Sequence, residues 1–380
     1  MTSLLVTRTE LLPPSLASLV ALLHPRCSRE HAHHLLADSQ DLLSAARAHG
    51  VAPLVFHLWQ SEIAAVMPPA EAENWRRMYL ACLTRSVQTQ AQSVAALRAL
   101  ADAGVEPVAM RGLWLAQTAY EDPALRPSQD LDLLVPLEAG TRVGEVLESQ
   151  GFTKFGDPHE DLRAAPEDGS TSEVTDADGV WRKPLLEGAA TGAGRDLWID
   201  LHTQLLVVSG GWWPYRPTYA DLYARSVPWE FSGVGLRAFS PGAAILVQCD
   251  NVLRHALARD VRNDRLLGYY DVLRLLPKMT EEEWSVLMED ARRLHLGVHI
   301  AAVLAGVKRL WEPETPIPDP AKLGVGPFAW RVARYACSRP RWLGHRGRLG
   351  VVQGCALGSL WQASRYFLRN LRTGLVVTNN

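Results

Sequence analysis

The sequence predicts an α+β fold, with a small mixed β-sheet core flanked by an N-terminal and a C-terminal helical region. Apolar residues recur at helical spacing through residues 14–104 and again after Pro241. Between these regions, the stretch 108–136 has the pattern of strand, glycine turn, helix, turn and strand. The expected parts are a helical region 1–104, a core 105–239 containing a long loop 156–194, and a helical region 240–380 with a basic tail.

The composition is that of a globular protein with a sizeable core. Of 380 residues, 47% are hydrophobic and 21% are charged, as in soluble domains. The net charge of −2 excludes a strong overall attraction to long nucleic acids. The five cysteines are odd in number and form no CxxC pair, which argues against a zinc site or a disulfide framework and favours a cytoplasmic location. The sequence predicts no signal peptide and no transmembrane helix.

The N-terminal region is expected to contain helices over about 29–48 and 71–103, which end at Gly50 and Gly104. The first of these helices carries three histidines, His31, His33 and His34. Because positions i, i+2 and i+3 of a helix do not share one face, we interpret these histidines as a solvated surface and not as a metal site.

The core elements follow from local patterns. In order they are a strand Val108–Met110, a break at Arg111-Gly112, a helix Leu113–Tyr120, a strand Gln129–Val135, a helix near 138–150, and a strand Phe152–Phe155. Residues Asp196–Leu201 return to strand alternation. Alternation puts Trp198, Asp200 and His202 on one face of that strand.

Two other segments have unusual composition. Residues 156–194 predict a long surface loop, and between Asp157 and Asp178 eight acidic residues stand against one arginine. This loop is either a loosely packed or disordered insertion, or a lid. The last fifty residues carry nine arginines and no acidic residue, which suits an anionic membrane surface, a polyanionic ligand, an acidic partner or the protein's own acidic surfaces. Before this tail, helices are expected over 241–259, 264–276, 280–295 and 297–311.

The strongest chemical signal is the pair Asp130 and Asp132. Residues two apart on a strand share a face, so the two carboxylates repel each other unless a cation lies between them. If the strand with Asp200 is a neighbour in the same sheet, all three carboxylates meet at one edge. Three aspartates can hold two Mg²⁺ ions about 3.5–4 Å apart, as in two-metal phosphoryl-transfer sites. The turn at Gly112 precedes a helix whose N-terminal amides suit a nucleotide phosphate.

The run M-R-G-L-W-L-A-Q-T-A-Y-E-D-P-A-L-R-P-S-Q-D-L-D-L-L-V resembles the core of the nucleotidyltransferase superfamily of DNA polymerase β-like fold. It is most similar to a largely uncharacterised bacterial nucleotidyltransferase family with the pattern L-K-G-x-x-L-A-x-x-x-Y-x-x-P-x-x-R-x-x-x-D-[IL]-D-[IL]-L-V. The later W-I-D-L-H resembles that family's I-D-L-H strand. The resemblance is clear for 105–136 and 196–202, and it says little about residues 1–90 and 320–380.

The resemblance implies roles for individual residues. Asp130 and Asp132 would bind metal, and Asp200 would be a third metal ligand that orients or deprotonates the acceptor hydroxyl. The implied nucleotide contacts come from Arg111, Gly112, Arg126, Ser128 and His202, of which His202 has the alternative of a structural hydrogen bond. The family usually has lysine where this chain has Arg111, which preserves the charge and changes the geometry of a phosphate contact.

The implied activity is that of a magnesium-dependent nucleotidyltransferase, with Mn²⁺ as the alternative ion. Such an enzyme moves a nucleoside monophosphate from an NTP, such as ATP, to a hydroxyl of a small molecule, sugar, peptide or protein. Related bacterial proteins often accompany natural-product or surface-polysaccharide genes, which suggests a tailoring role. The alternatives are phosphoryl or pyrophosphoryl transfer, NTP hydrolysis at the same site, and a non-catalytic nucleotide-binding scaffold.

Overall fold

The computed structural model describes residues 12–38, 41–128, 130–154, 179–184, 196–203, 217–257, 265–327 and 329–331. The chain divides into two compact units. One unit comprises Met1–Leu80 and Gln248–Asn380, and the other comprises Ala81–Val247. The division of the sequence at residues 104 and 239 into three parts stays a prediction.

The second unit is built around a seven-stranded sheet with strand order β3-β4-β5-β2-β1-β7-β6. Its strands are β1 Val108–Ala109, β2 Asp130–Leu134, β3 Thr153–Lys154, β4 Gly179–Pro184, β5 Asp196–His202, β6 Ser226–Phe231 and β7 Val234–Phe239. The pairs β2–β5 and β1–β7 are parallel, and the other four neighbouring pairs are antiparallel. The sheet is therefore mixed, which confirms the predicted α+β fold.

Apolar alternation accounts for the centre of this sheet. In β5, Leu197, Ile199 and Leu201 are buried, because they all point to one face of the strand. Helix α6, Gly112–Thr118, follows β1 and contacts β2, and helix α7, Gly140–Ser149, contacts β3. A short helix α8, Tyr219–Tyr223, precedes β6.

Two strand assignments differ from the expectation. Strand β4 lies inside the segment 156–194, which was expected to be a loop throughout, and it pairs with β5 in antiparallel register. This pairing supplies β5 with a second neighbour, so the polar composition of the segment did not exclude a strand. The hairpin β6–β7 was not anticipated either. The remainder of the 156–194 segment lies outside the described residues.

The first unit is helical. Its helices include α1 Pro14–Leu22, α2 Arg29–Asp38, α3 Leu42–Ala48, α4 Ala52–Val66, α10 Leu266–Leu275, α11 Glu281–Arg293 and α12 Gly297–Trp311. Two further helices of the chain are α5 Pro69–Asp102 and α9 Pro241–Leu257. The helices after Pro241 agree with the prediction, and no helix among the described residues is long and apolar enough to cross a membrane.

One predicted helix is wrong in extent. The expected helix over 29–48 is two helices, α2 and α3, and Asp41 before α3 has a left-handed backbone with φ 57°. A helix cannot continue through such a residue, and aspartate tolerates this conformation better than most residues. His31, His33 and His34 on α2 are exposed, as predicted. The basic tail, residues 332–380, lies outside the described residues.

Candidate active site

Parallel pairing of β2 with β5 brings the predicted carboxylates together. In the register of these strands Asp132 lies opposite Asp200, and Asp130 lies opposite Trp198. His202 pairs with Leu134 further along. The condition for bringing the predicted carboxylates together, that the two aspartate-bearing strands are neighbours, is therefore met.

Asp132, Asp200 and His202 form a compact polar cluster. Their ligand atoms lie within 4.8 Å of one another, a spacing at which one metal ion could be held. The His202 Nε2 lies 3.4 Å from Asp132 Oδ1 and 3.5 Å from Asp200 Oδ2. The side chain of Asp132 is 4% exposed and that of Asp200 is 24% exposed. Asp200 is therefore the member of this triad through which solvent or a ligand can enter.

Arg111 contacts one member of this triad, Asp132. The backbone N–H of Met110 donates to the carbonyl of Asp132 over 3.1 Å, which places the end of β1 beside Asp132. The Arg111 Nε then donates to Asp132 Oδ2 over 3.2 Å, and its Nη2 donates to Asp132 Oδ1. The guanidinium thus forms a two-point contact with a buried carboxylate. This contact is with Asp132, whereas the predicted contact of Arg111 with a phosphate stays a prediction.

Asp130 lies on the rim and is not part of the triad. Its residue is exposed, and the Ser128 hydroxyl bonds to its backbone carbonyl at 2.9 Å and to its Oδ1 at 3.1 Å. The positive charge of Arg126 also acts on Asp130. The structure therefore assembles Asp130, Ser128 and Arg126 at the outer end of β2.

Gly112 is required by the close approach of the turn to this rim. Its φ is +30°, and a Cβ at this position would lie 2.5 Å from the Ser128 hydroxyl oxygen and 3.1 Å from the Asp130 carbonyl oxygen. A larger residue would therefore displace Ser128. The helix that follows, α6, has only seven residues. The expected contact between its N-terminal amides and a nucleotide phosphate stays a prediction.

The charges of the triad stabilise one another. Burial opposes ionisation of Asp132, but Arg111 and His202 outweigh it and hold the Asp132 pKa below its ordinary value. Burial likewise opposes ionisation of Asp200, and the His202 charge overcomes it, so the Asp200 pKa is also lowered. Desolvation would lower the His202 pKa, but Asp200 and Asp132 raise it to about 9. At neutral pH the triad therefore consists of two carboxylates and an imidazolium.

Asp130 behaves in the opposite way. Desolvation by the surrounding protein, followed by the negative charge of Asp132, raises its pKa. The repulsion expected between Asp130 and Asp132 is thus present. An additional cation near these two carboxylates would relieve it.

The residues present fit a divalent cation. Asp200 Oδ1 is buried and has no hydrogen-bond partner among the described residues, although a buried carboxylate oxygen normally has one. Carboxylate oxygens are ligands that Mg²⁺ and Mn²⁺ prefer. His202 could join the two aspartates as a ligand only on losing its proton, because a protonated ring nitrogen cannot bind metal. The triad could hold a metal ion. The identity and number of the predicted ions, including a second ion through Asp130, stay predictions.

Trp198 is a site-facing residue to which the sequence assigned no role. It lies on the Asp200 face of β5, is partly exposed, and pairs with Asp130 in the strand register. Strand alternation placed it on this face from the sequence alone, but only the register put it next to Asp130.

Aspartates on two adjacent strands of a mixed sheet, with a glycine turn beside them, form the arrangement that the resemblance to nucleotidyltransferases predicts. The chain belongs to a family described as uncharacterised nucleotidyltransferase, which it matches over residues 36–312. This match begins near the end of α2 and covers the sheet and the helices up to α12. It confirms the family resemblance of the sequence.

One solved structure shows a distant similarity. It is the crystal structure of an antigenic nucleotidyltransferase-like protein from Paracoccidioides brasiliensis, with 14% sequence identity and a TM-score of 0.34. The similarity covers 57% of this chain and 94% of that one. No curated protein matches the chain. The assignment to the family therefore depends on the sequence match and not on this structure.

Proposed function

We propose that this protein is a magnesium-dependent nucleotidyltransferase. It transfers a nucleoside monophosphate from an NTP to a hydroxyl group of a small-molecule, sugar, peptide or protein acceptor and releases pyrophosphate. The observation that carries this proposal is the direct pairing of Asp132 with Asp200 on adjacent parallel strands. With it goes the buried Oδ1 of Asp200, which has no hydrogen-bond partner within the part of the chain that the structure describes. Family membership supports the same class of reaction.

The side chains of the site have different proposed roles, which follow from their positions. Asp132 is the buried carboxylate whose ionised form Arg111 and His202 stabilise. The Asp200 side chain is more exposed than that of Asp132, and its buried Oδ1 has no hydrogen-bond partner among the described residues. Asp200 therefore has an acceptor site left with which to orient the acceptor hydroxyl. A divalent cation bound at these carboxylates would stabilise the negative charge that develops on the transferred phosphoryl group.

The outer residues suit the nucleotide. Arg126 provides a planar fork of N–H donors that matches phosphate oxygens, and its charge already acts on the rim at Asp130. Ser128 holds Asp130 in place through its hydroxyl. His202 holds the two inner carboxylates at a fixed separation, which favours a positioning role over direct contact with the substrate.

The test is analysis of the products. The purified protein is incubated with MgCl₂, candidate acceptors and an NTP labelled at the α-phosphate, and also with an NTP labelled at the γ-phosphate. Transfer of the α-label to an acceptor, with release of pyrophosphate and dependence on Asp200, supports the proposal. Transfer of the γ-label with formation of NDP would instead identify phosphoryl transfer. Tight NTP binding without turnover would identify a nucleotide-binding scaffold.

A further inference from the structure

The two inner carboxylates of the triad are not equivalent. Both oxygens of Asp132 accept hydrogen bonds from Arg111, and Oδ1 also contacts His202. The Arg111 side chain is 13% exposed and the Asp132 side chain 4%, so this contact is shielded from water. Asp132 is therefore already paired with a cationic side chain of the protein itself, that of Arg111.

Asp200 is arranged differently. Its Oδ2 lies 3.5 Å from His202 Nε2, whereas its Oδ1 has no hydrogen-bond partner among the described residues. An entering cation can therefore bind Oδ1 of Asp200 without displacing a hydrogen-bond donor of the described residues. Oδ1 of Asp132 already faces two donors, Arg111 Nη2 and His202 Nε2. Because an oxygen of a carboxylate has about two acceptor sites, a cation that binds Asp132 through Oδ1 must displace one of these donors.

We propose that Arg111 is a gate on the metal site, which holds Asp132 until a divalent cation displaces it. This inference rests on the metal site of the proposed function. Removing a cationic group from the site also removes like-charge repulsion toward the metal, so the gate weakens metal binding by competition and by repulsion. The gate therefore sets how readily the protein binds metal in the absence of nucleotide.

The displaced guanidinium then has a second use. It belongs to the residue directly before Gly112, on the side of the site where Gly112 approaches Ser128 and Asp130. Its forked donors match an anionic phosphate as well as they match a carboxylate. Metal binding would thereby release a donor for the triphosphate, so metal and NTP bind with positive coupling, which is reciprocal by thermodynamic necessity.

The experiment measures binding of Mn²⁺ alone to the full chain, by electron paramagnetic resonance of free Mn²⁺ with calorimetry as a second method. The proteins are the wild type, Arg111→Met, Arg126→Met and Asp200→Asn. We expect Arg111→Met to bind Mn²⁺ about tenfold more tightly, since a close like charge and a competitor are both lost. Arg126→Met removes an equal charge from the rim without freeing Asp132, so we expect a change below about threefold.

The outcomes separate the gate from generic electrostatics. Unchanged or weaker Mn²⁺ binding by Arg111→Met overturns the proposal, and so does equal tightening by Arg126→Met. If circular dichroism shows that Arg111→Met is unfolded, Arg111→Lys replaces it. That variant keeps the charge and loses the two-point contact, and it should bind Mn²⁺ more tightly than the wild type.

The gate and the proposed function fail separately. If Asp200→Asn loses Mn²⁺ binding and the wild type transfers nucleotides, but Arg111→Met binds Mn²⁺ like the wild type, only the gate is wrong. If Arg111→Met binds Mn²⁺ more tightly and no NTP is turned over under any condition, the gate stands and the function is wrong. Absence of Mn²⁺ binding in every variant overturns both.

Discussion

Replacing Asp132 with asparagine should destabilise the metal-free protein far more than the same replacement at Asp200. Asp132 is the shared acceptor of Arg111 and His202, and its side chain is 4% exposed. Asparagine keeps the size and one acceptor oxygen but removes the charge. Arg111 and His202 are then left as two neighbouring cations with no buried carboxylate between them.

The magnitude follows from this burial. Removing one partner of a buried ion pair costs about 3–5 kcal/mol. The retained amide oxygen still accepts one hydrogen bond, worth about 1 kcal/mol, so we expect a loss of about 2–4 kcal/mol for Asp132→Asn. Asp200 contacts His202 at 3.5 Å and its side chain is 24% exposed. Because partly exposed ion pairs contribute little, we expect about 1 kcal/mol or less for Asp200→Asn.

The assay is urea denaturation in EDTA, in which unfolding is monitored by circular dichroism and tryptophan fluorescence. Asp130→Asn is the matched control on the rim. Asp130 is exposed and repelled by Asp132, so its replacement should change the free energy of unfolding least of the three. Equal stability of the Asp132→Asn and Asp200→Asn proteins would refute the reasoning that Arg111 and His202 depend on Asp132. It would also make Asp132→Asn as clean a test of catalysis as Asp200→Asn.

Three further predictions concern the same site. Asp200→Asn should lower metal-dependent nucleotide turnover by at least about a hundredfold, while its far-ultraviolet circular dichroism spectrum stays that of the wild type. Full turnover by this variant would contradict the assignment of Asp200 as a metal ligand. Gly112→Ala should lower the melting temperature and turnover together, because its Cβ would lie 2.5 Å from Ser128 Oγ, and adding Ser128→Gly to that variant should restore part of the stability. In EDTA, the contribution of His202 to the free energy of unfolding should be complete below pH 6.5 and lost as the pH rises to about 9, since folding raises the His202 pKa to about 9. His202→Gln should flatten this part of the pH–stability profile. An unchanged slope would contradict the conclusion that His202 is protonated in the folded protein.

Some of the site could be predicted from sequence because it depends on local spacing. The two-residue intervals between Asp130 and Asp132, and between Trp198, Asp200 and His202, specify which side chains share a strand face. The glycine between strand and helix indicated a tight turn, and Gly112 indeed has a positive φ. The polar composition of segment 156–194 predicted a loop throughout, and this prediction was wrong at β4. That strand gains its stability from pairing with β5 and not from its own apolar pattern.

The partner of Arg111 could not be read from the sequence. Arg111 and Asp132 are 21 residues apart, and the antiparallel pairing of β1 with β2 brings them together. A cation next to a glycine turn is compatible with a phosphate contact or with a carboxylate contact. Only the geometry of the folded chain shows the carboxylate contact, because the direction of a side chain depends on the strand beside it.

The sequence by itself determined the α+β class, the helices on both sides of the core, and the aspartates that the family resemblance marks as metal ligands. The first two depend on periodicity and short spacings along the chain, and the third depends on the family resemblance. The tertiary structure decided that Asp132 lies opposite Asp200, that His202 bridges them and that Arg111 occupies Asp132. His202 and Asp132 are 70 residues apart. Contacts over such separations depend on strand order and register, which arise from packing of the whole sheet and not from local preference.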